Sequence, residues 1–454
     1  MSARARGWLA ALVAVALLGG LAVLGGVPAR VGVPGAGDGG PGDGLVAGRP
    51  APPRTDLPEP GEVPRGGQER DRAVRDLLDR RATALRQRDE AAFLTTIDPL
   101  ASADFVAAQR ALFTNLGGVP LSEWSYRVDG SSPATPPRRA DAGELWAPRT
   151  TLRYALEGVD TVPTERPMGY LYARRDGRWY LTSDTELGPD GERTWRGPWD
   201  FGPCVAVAAP GGLVVGHAGQ EELLTRLAAE LDAAVLAVTE VWGTEWSQQV
   251  AVIVPAGTEE LRELVGPAFA VDGIAAAAVA DLVDVANHTA IGQRVVLNPT
   301  QIGRLSTAAR RIVLRHEITH IAARAATVDG APMWLLEGFA DYVGYRDSGL
   351  RPREAAPDLV RVMRTRGVPD TLPADTDFTG GSTDLDLAYQ LGWSAALHVV
   401  ELAGEDGLVR LYRLVAGGPD PTPAAVDAAL LQVLGTDLAG FVASWRQSLT
   451  QHFS

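Results

Sequence analysis

The stretch HEITHIAARAATVDGAPMWLLEGFADY, residues 316–342, decides how the chain is read. It carries two of the chain's six histidines, His316 and His320, four positions apart, with Glu317 directly after the first. On a helix, positions i and i+4 project from one face, so the two imidazoles stand one turn apart and can share a metal ion. Glu317 leaves the same helix about 100° round from His316. That is too far round for a good third ligand, but it suits a carboxylate that reaches a water on the ion. This is the chemistry of the H-E-x-x-H pattern.

A third ligand has to come from further along. A histidine of the metzincin type would require glycine and histidine at positions 323 and 326, where the chain has Ala323 and Ala326. Beyond His320 the sequence lets the first helix finish, turn at Asp329-Gly330, and start a second helix near Pro332, a favoured first-turn residue. Glu337 then sits in that second helix, facing back. Two histidines and one glutamate, with a fourth position open for water, form a catalytic zinc set. One Zn2+ ion is therefore the expected cofactor.

The residues His316-Glu317-Ile318-Thr319-His320 and Trp334-Leu335-Leu336-Glu337-Gly338-Phe339-Ala340-Asp341-Tyr342 resemble the gluzincin metallopeptidases, specifically the bacterial peptidase-MA-like group. The resemblance implies that His316, His320 and Glu337 are ligands and that Glu317 is the general base. It implies that Asp341 holds the first histidine by its free ring nitrogen. It also implies a tyrosine that stabilises the oxyanion. Tyr389, at the start of a helix after a polar, glycine-containing loop, is the candidate, and packing at a helix end is the equal alternative. Tyr342 and Tyr345 are weaker choices. The G-x-M-E-N motif with which aminopeptidases of this clan bind a free N-terminus is absent, which leaves an endopeptidase or no peptidase at all. The family implies an edge strand that pairs with extended substrate, and "VVLNP" at 295–299 is either that edge or a central strand.

Around this stretch, the 454-residue length favours two domains. The net charge of −14, with no lysine, excludes the basic face that nucleic acid needs. A protein or peptide substrate is the expected partner. The single cysteine, Cys204, excludes an internal disulfide or a cysteine-rich zinc knuckle, so a metal must be held by histidine and carboxylates. His398 reads as a packed histidine inside a helix. His217, His288 and His452 are placed in loops or the tail.

The expected fold is α+β throughout. Residues 1–30 read as a signal anchor or signal peptide, because Arg4 and Arg6 precede the 20-residue apolar run at 8–27. The implied location is the cell membrane, single-pass with the catalytic part outside, or secretion if Val27-Pro28-Ala29 is cleaved. Residues 31–68 read as a disordered Pro/Gly-rich linker. Residues 69–195 form a small helix-then-sheet domain. Val74, Leu77, Leu78, Ala82 and Leu85 share a helical face, and Asp176-Gly177 marks a hairpin turn. The order loosely resembles the NTF2-like domains, and Trp124, Trp146 and Trp179 read as core. Residues 200–454 form the peptidase-MA-like, thermolysin-like domain. Its mostly helical second half is expected at 306–325, 332–345, 356–366, 384–404, 406–416, 421–435 and 438–452. The rival reading is a binding or scaffold protein that keeps the fold, and a third is an enzyme held latent by residues 69–195.

Overall fold

The computed structural model describes residues 65–138, 143–266, 274–379, 384–419 and 421–453. The architecture is α+β with a mostly helical C-terminal half. The first region opens with the helices Arg65–Arg86, Glu90–Leu94 and Ala103–Asn115. The expected apolar face of the first helix, Val74 to Leu85, is buried. Five antiparallel strands follow. Leu121–Ala134 pairs with Glu144–Leu156, which also pairs with Thr164–Met168 and Leu171–Arg175, and Arg178–Ser183 closes the hairpin. That hairpin turns at Asp176 (φ 48°) and Gly177 (φ 80°), two consecutive left-handed residues. Trp124, Trp146 and Trp179 are all core.

The second sheet runs in the order Cys204–Ala209, Gly212–His217, Val250–Ile253, Arg294–Leu297, Ala276–Val279. Apart from the half-exposed Cys204–Ala209, its strands bury both faces, so their side chains divide by alternation. Val214, Val250, Val252, Val295 and Leu297 face the core of the helical half. Leu213, Val215 and Ala251 join the core of the first region, while Ile253, Val296 and Val279 pack against the helix Thr258–Val265. The 295–297 segment is thus central, flanked on both sides, because Arg294–Leu297 pairs with Val250–Ile253 and Ala276–Val279. The two edges are Ala276–Val279 and Cys204–Ala209.

Three placements differ from sequence expectation. His217 is not in a loop. It ends a buried strand, and its Nε2 lies 2.8 Å from Glu260 Oε2. His452 lies in the last helix, Leu438–Phe453, not in a tail. The expected break near residue 405 is a kink inside one helix, Leu385–Ala416, where Gly404 adopts φ 74°.

The membrane location needs correction. Among the described residues no single helix is long and apolar enough to cross a membrane. The apolar run at 8–27 and residues 31–64 of the expected linker lie outside the described residues, whereas 65–68 are not linker but the start of the helix Arg65–Arg86. One bent pair, Pro423–Leu434 with Leu438–Phe453 at 60°, passes by length and composition. Its apolar side chains serve the protein core instead: Leu430, Phe441 and Trp445 are each 0% exposed.

Candidate metal centre

The histidines sit on the helix Thr307–Ala323, whose N-terminus is capped by Ser306 Oγ accepting from the Ala309 N–H at 3.2 Å. Gly330 turns the chain in the left-handed region (φ 85°), and the next helix, Met333–Tyr345, carries Glu337 and Asp341 one turn apart. These two helices lie close because Gly344 has no side chain. A Cβ there would stand 3.0 Å from the Ile312 carbonyl oxygen and 3.6 Å from His316 Cβ. Residues 337, 341 and 344 share the helical face that looks at His316.

The third element is the helix Leu385–Ala416. It crosses Met333–Tyr345 at Gly338 and Gly392, where a Cβ on Gly338 would run into the Gly392 carbonyl oxygen. Tyr389, three residues before that crossing, is buried with its ring centroid 6.3 Å from that of His316. Tyr342 and Tyr345 turn elsewhere. The Tyr342 hydroxyl donates to Glu405 at 2.6 Å, and the Tyr345 ring packs on Trp393 at 5.0 Å.

His316, His320 and Glu337 bring one ligand atom each into a small buried triangle. His316 Nε2 is 3.0 Å from His320 Nε2 and 3.2 Å from Glu337 Oε2, and His320 Nε2 is 3.4 Å from the same oxygen. Tetrahedral bonds of about 2.0–2.2 Å put neighbouring donors roughly 3.3–3.6 Å apart, close to these separations. Two imidazole lone pairs that face each other need a proton or a cation between them. His316 Nδ1 lies 2.9 Å from Asp341 Oδ1. In the tautomer that donates Nδ1–H to Asp341, the lone pair is on Nε2, aimed into the triangle.

Burial makes the charges here costly unless they are met. His316, Glu317 and Glu337 are each 0% exposed, and His320 is 2%. Neither oxygen of Glu337 has a partner in hydrogen-bonding geometry, although Oε2 sits beside both rings. Both oxygens of Glu317 are likewise buried without a hydrogen bond. The Ala278 backbone N–H on the edge strand favours the Glu317 anion without reaching hydrogen-bonding geometry. Orphaned buried carboxylate oxygens are expensive, and a cation and its water are what they fit. The cluster His316, His320 and Glu337 can therefore hold a metal ion.

The proton affinities follow from the same geometry. Burial raises the Glu317 carboxyl above the usual range, and the two imidazoles offset it only in part. Burial would raise Glu337 too, but His320 and His316 hold it below the usual range. Burial opposes charge on His316, yet its contacts with Asp341 and Glu337 push it up to about 10. Tyr389 is driven well above the ordinary phenol by burial and then by the carboxylates of Glu337, Asp341 and Glu317, so its O–H stays protonated.

The structure thus gathers His316, Glu317, His320, Glu337, Asp341 and Tyr389 into one place. Sequence reasoning had no view of Ala278 or of the Gly338–Gly392 crossing. A run of alanines carries little strand signal, and a close crossing is a non-local property. His398 is buried and hydrogen-bonded to Glu401 and Ser444, away from the cluster. Cys204 is buried, and burial pushes its thiol up to about 12. A large cavity of about 1750 Å³ lies elsewhere, between the first region and the helix Thr258–Val265, and none of the metal-cluster residues lines it.

No family model matches the chain, and no curated protein does. Solved structures are loosely similar. An M1 zinc metallopeptidase from Deinococcus radiodurans, bound to a Tyr-Ser-Ala substrate, matches over 72% of this chain and 61% of its own, at 12% identity and a TM-score of 0.33. A two-domain M1 zinc metallopeptidase bound to L-arginine matches over 74% and 62%, at 13% identity and 0.33. Yeast LTA4 hydrolase in complex with bestatin matches over 74% and 57%, at 9% identity and 0.30. The chain thus spans less than two thirds of the length of each. The functional reading rests on the site's own geometry.

Proposed function

We propose that the chain is a zinc-dependent peptide hydrolase that cuts within polypeptides. The observation that carries this is the buried triangle of His316, His320 and Glu337 with the unpartnered carboxylate of Glu317 beside it. His316, His320 and Glu337 would hold the ion. Bound zinc supplies Lewis acidity, lowering the pKa of water to about 7 and polarising a carbonyl. Glu317, buried beside the cluster with both oxygens free of hydrogen bonds, accepts the proton of the attacking water. It then returns that proton to the leaving amine as the C–N bond breaks. Asp341 accepts from the His316 Nδ1–H and fixes that ring. Tyr389 keeps its proton and serves as a donor to the oxyanion.

Substrate binding follows from the sheet. Among the described residues Ala276–Val279 pairs on one side only, with Arg294–Leu297. That other side is buried in this structure, with Ala276 and Ala277 0% exposed, and uncovering it would let an extended peptide add as a further strand. The G-x-M-E-N motif that binds a free N-terminal amine is absent from the sequence, which supports cutting inside chains. Residues 69–195 we read as an NTF2-like unit, on their order of three helices followed by an antiparallel sheet, and residues 200–454 as the hydrolase unit.

The test is cleavage of casein, an unstructured protein, by the purified zinc-loaded chain. Cleavage should stop on chelation and return with zinc. A zinc-loaded chain that cuts no unstructured protein would favour a scaffold that keeps this fold.

A further inference from the structure

The first region meets the second at an ion cluster beside the edge strand, one pair of it buried and the other partly so. Arg294 donates from Nη1 to Asp160 Oδ1 at 2.8 Å and from Nη2 to Asp160 Oδ2 at 2.6 Å. The Arg294 and Asp160 side chains are 4% and 5% exposed. A second pair joins Arg166 to Asp281, and the Arg166 guanidinium also lies 4.7 Å from the Trp195 ring centroid. Asp160 and Arg166 belong to the first region, Asp281 and Arg294 to the second. Each pair therefore crosses the boundary, with the signs reversed.

Both second-region members sit at the ends of strands that bear on the site. Arg294 is the cross-strand partner of Val279, the last residue of the edge strand. Asp281 lies two residues beyond Val279, and its N–H donates to the Ile291 carbonyl at 2.9 Å. Ala278, next to Val279, is the edge residue beside Glu317. On the other side of Arg294, Gln293 donates from Nε2 to the Ile321 carbonyl at 2.8 Å, directly after His320. The clamp thus reaches the strand on one side of the site and the histidine helix on the other.

A bidentate arginine–carboxylate pair sets direction as well as attraction. Four charges that cancel in one cluster are held only with the two regions docked. We infer that Asp160 and Arg166 are positioning residues. Through Arg294 and Asp281 they fix the edge strand Ala276–Val279 beside Glu317, so an extended peptide is held in register only while the first region is docked. This rests on the peptide-hydrolase reading above. On that reading, residues 69–195 are part of the substrate-binding apparatus and not a separate recruiting module.

The test compares the full zinc-loaded chain with Asp160→Asn and Asp281→Asn, with Glu165→Gln as a control at the exposed Arg127–Glu165 pair. Backbone hydrogen exchange over residues 276–284 should become about tenfold faster or more in both variants, and not in the control. The KM for casein should rise about tenfold, with kcat within about twofold and zinc per chain unchanged. If Asp160→Asn does not fold, Arg294→Lys is measured in its place, since it keeps the charge and loses the two-pronged contact. Unchanged exchange would overturn the inference, and so would faster exchange with an unchanged KM. If the wild type cuts nothing, the hydrolase reading fails by itself, and the exchange measurement still decides whether the first region fixes the strand.

Discussion

Two charge clusters flank the edge strand Ala276–Val279, and they differ in balance. At the boundary, Asp160 and Asp281 face Arg294 and Arg166, one cation for each anion. At the metal centre, Glu317, Glu337 and Asp341 face two imidazoles, and four carboxylate oxygens lack hydrogen bonds. The boundary cluster also leaves Asp281 Oδ2 and the Nε atoms of Arg166 and Arg294 without hydrogen bonds, but its charges cancel, which suits it to joining parts. An unbalanced one has room for a positive ion, and its incompleteness points to chemistry. The same strand is thus anchored by the first cluster and presented to the second.

Substitutions can break or sharpen this contrast. The largest effect is expected at Glu317. Glu317→Gln keeps the volume, cannot accept a proton at neutral pH, and should cost on the order of 10²–10⁴-fold in casein cleavage. Zinc should stay bound, since Glu317 is not among the ligands. Tyr389→Phe removes one oxyanion donor and should cost on the order of 10²-fold in kcat, with KM and zinc content little changed. An unchanged kcat would leave Tyr389 as packing between His316 and Phe378, whose ring centroids lie 6.3 and 5.3 Å away.

The balanced cluster should answer differently. Arg294→Met leaves Asp160 buried without its cation and weakens the local balance around Asp281. Urea unfolding should show a loss of about 3 kcal/mol, while zinc per chain stays the same. Zinc loss without destabilisation would mean the two clusters are not separable in the way described. The smallest effect is expected at Asp341. Asp341→Ala removes the acceptor of the His316 Nδ1–H, and should weaken zinc affinity or activity by about 10–100-fold. Equal zinc affinity and equal activity would remove Asp341 from the site.

Much of the helical half was legible in the sequence because its signals are local. The expected helices at 306–325, 332–345 and 356–366 correspond to Thr307–Ala323, Met333–Tyr345 and Pro357–Arg366. Each follows from periodic apolar residues and a start signal such as Ser306 or Pro332. The shared direction of His316 and His320 was legible for the same reason, since i, i+4 spacing on a helix fixes direction. What escaped depends on distant partners. Leu121–Ala134 ends in a Ser/Gly-rich half and gave no strand pattern, yet it pairs with Glu144–Leu156 up to Asp129 and again at Ala134, with an irregularity between. Ala276–Val279 is a strand because Arg294–Leu297 is there to pair with it, not because alanine favours one. His217 looked like a loop residue, and it is held in the sheet by Cys204 across the strand and by Glu260. The helix crossing at Gly338 and Gly392 joins residues too far apart in sequence for any local pattern to reveal.

The central claim is that the unbalanced cluster is a zinc site with Glu337 as its anionic ligand. The most direct test is zinc per chain, measured by elemental analysis on wild type, Glu317→Gln and Glu337→Gln purified in parallel. The expected result is one zinc per chain in wild type and in Glu317→Gln, and a large loss in Glu337→Gln. Zinc lost in Glu317→Gln, or retained in full by Glu337→Gln, would contradict the assignment of ligands and base made here.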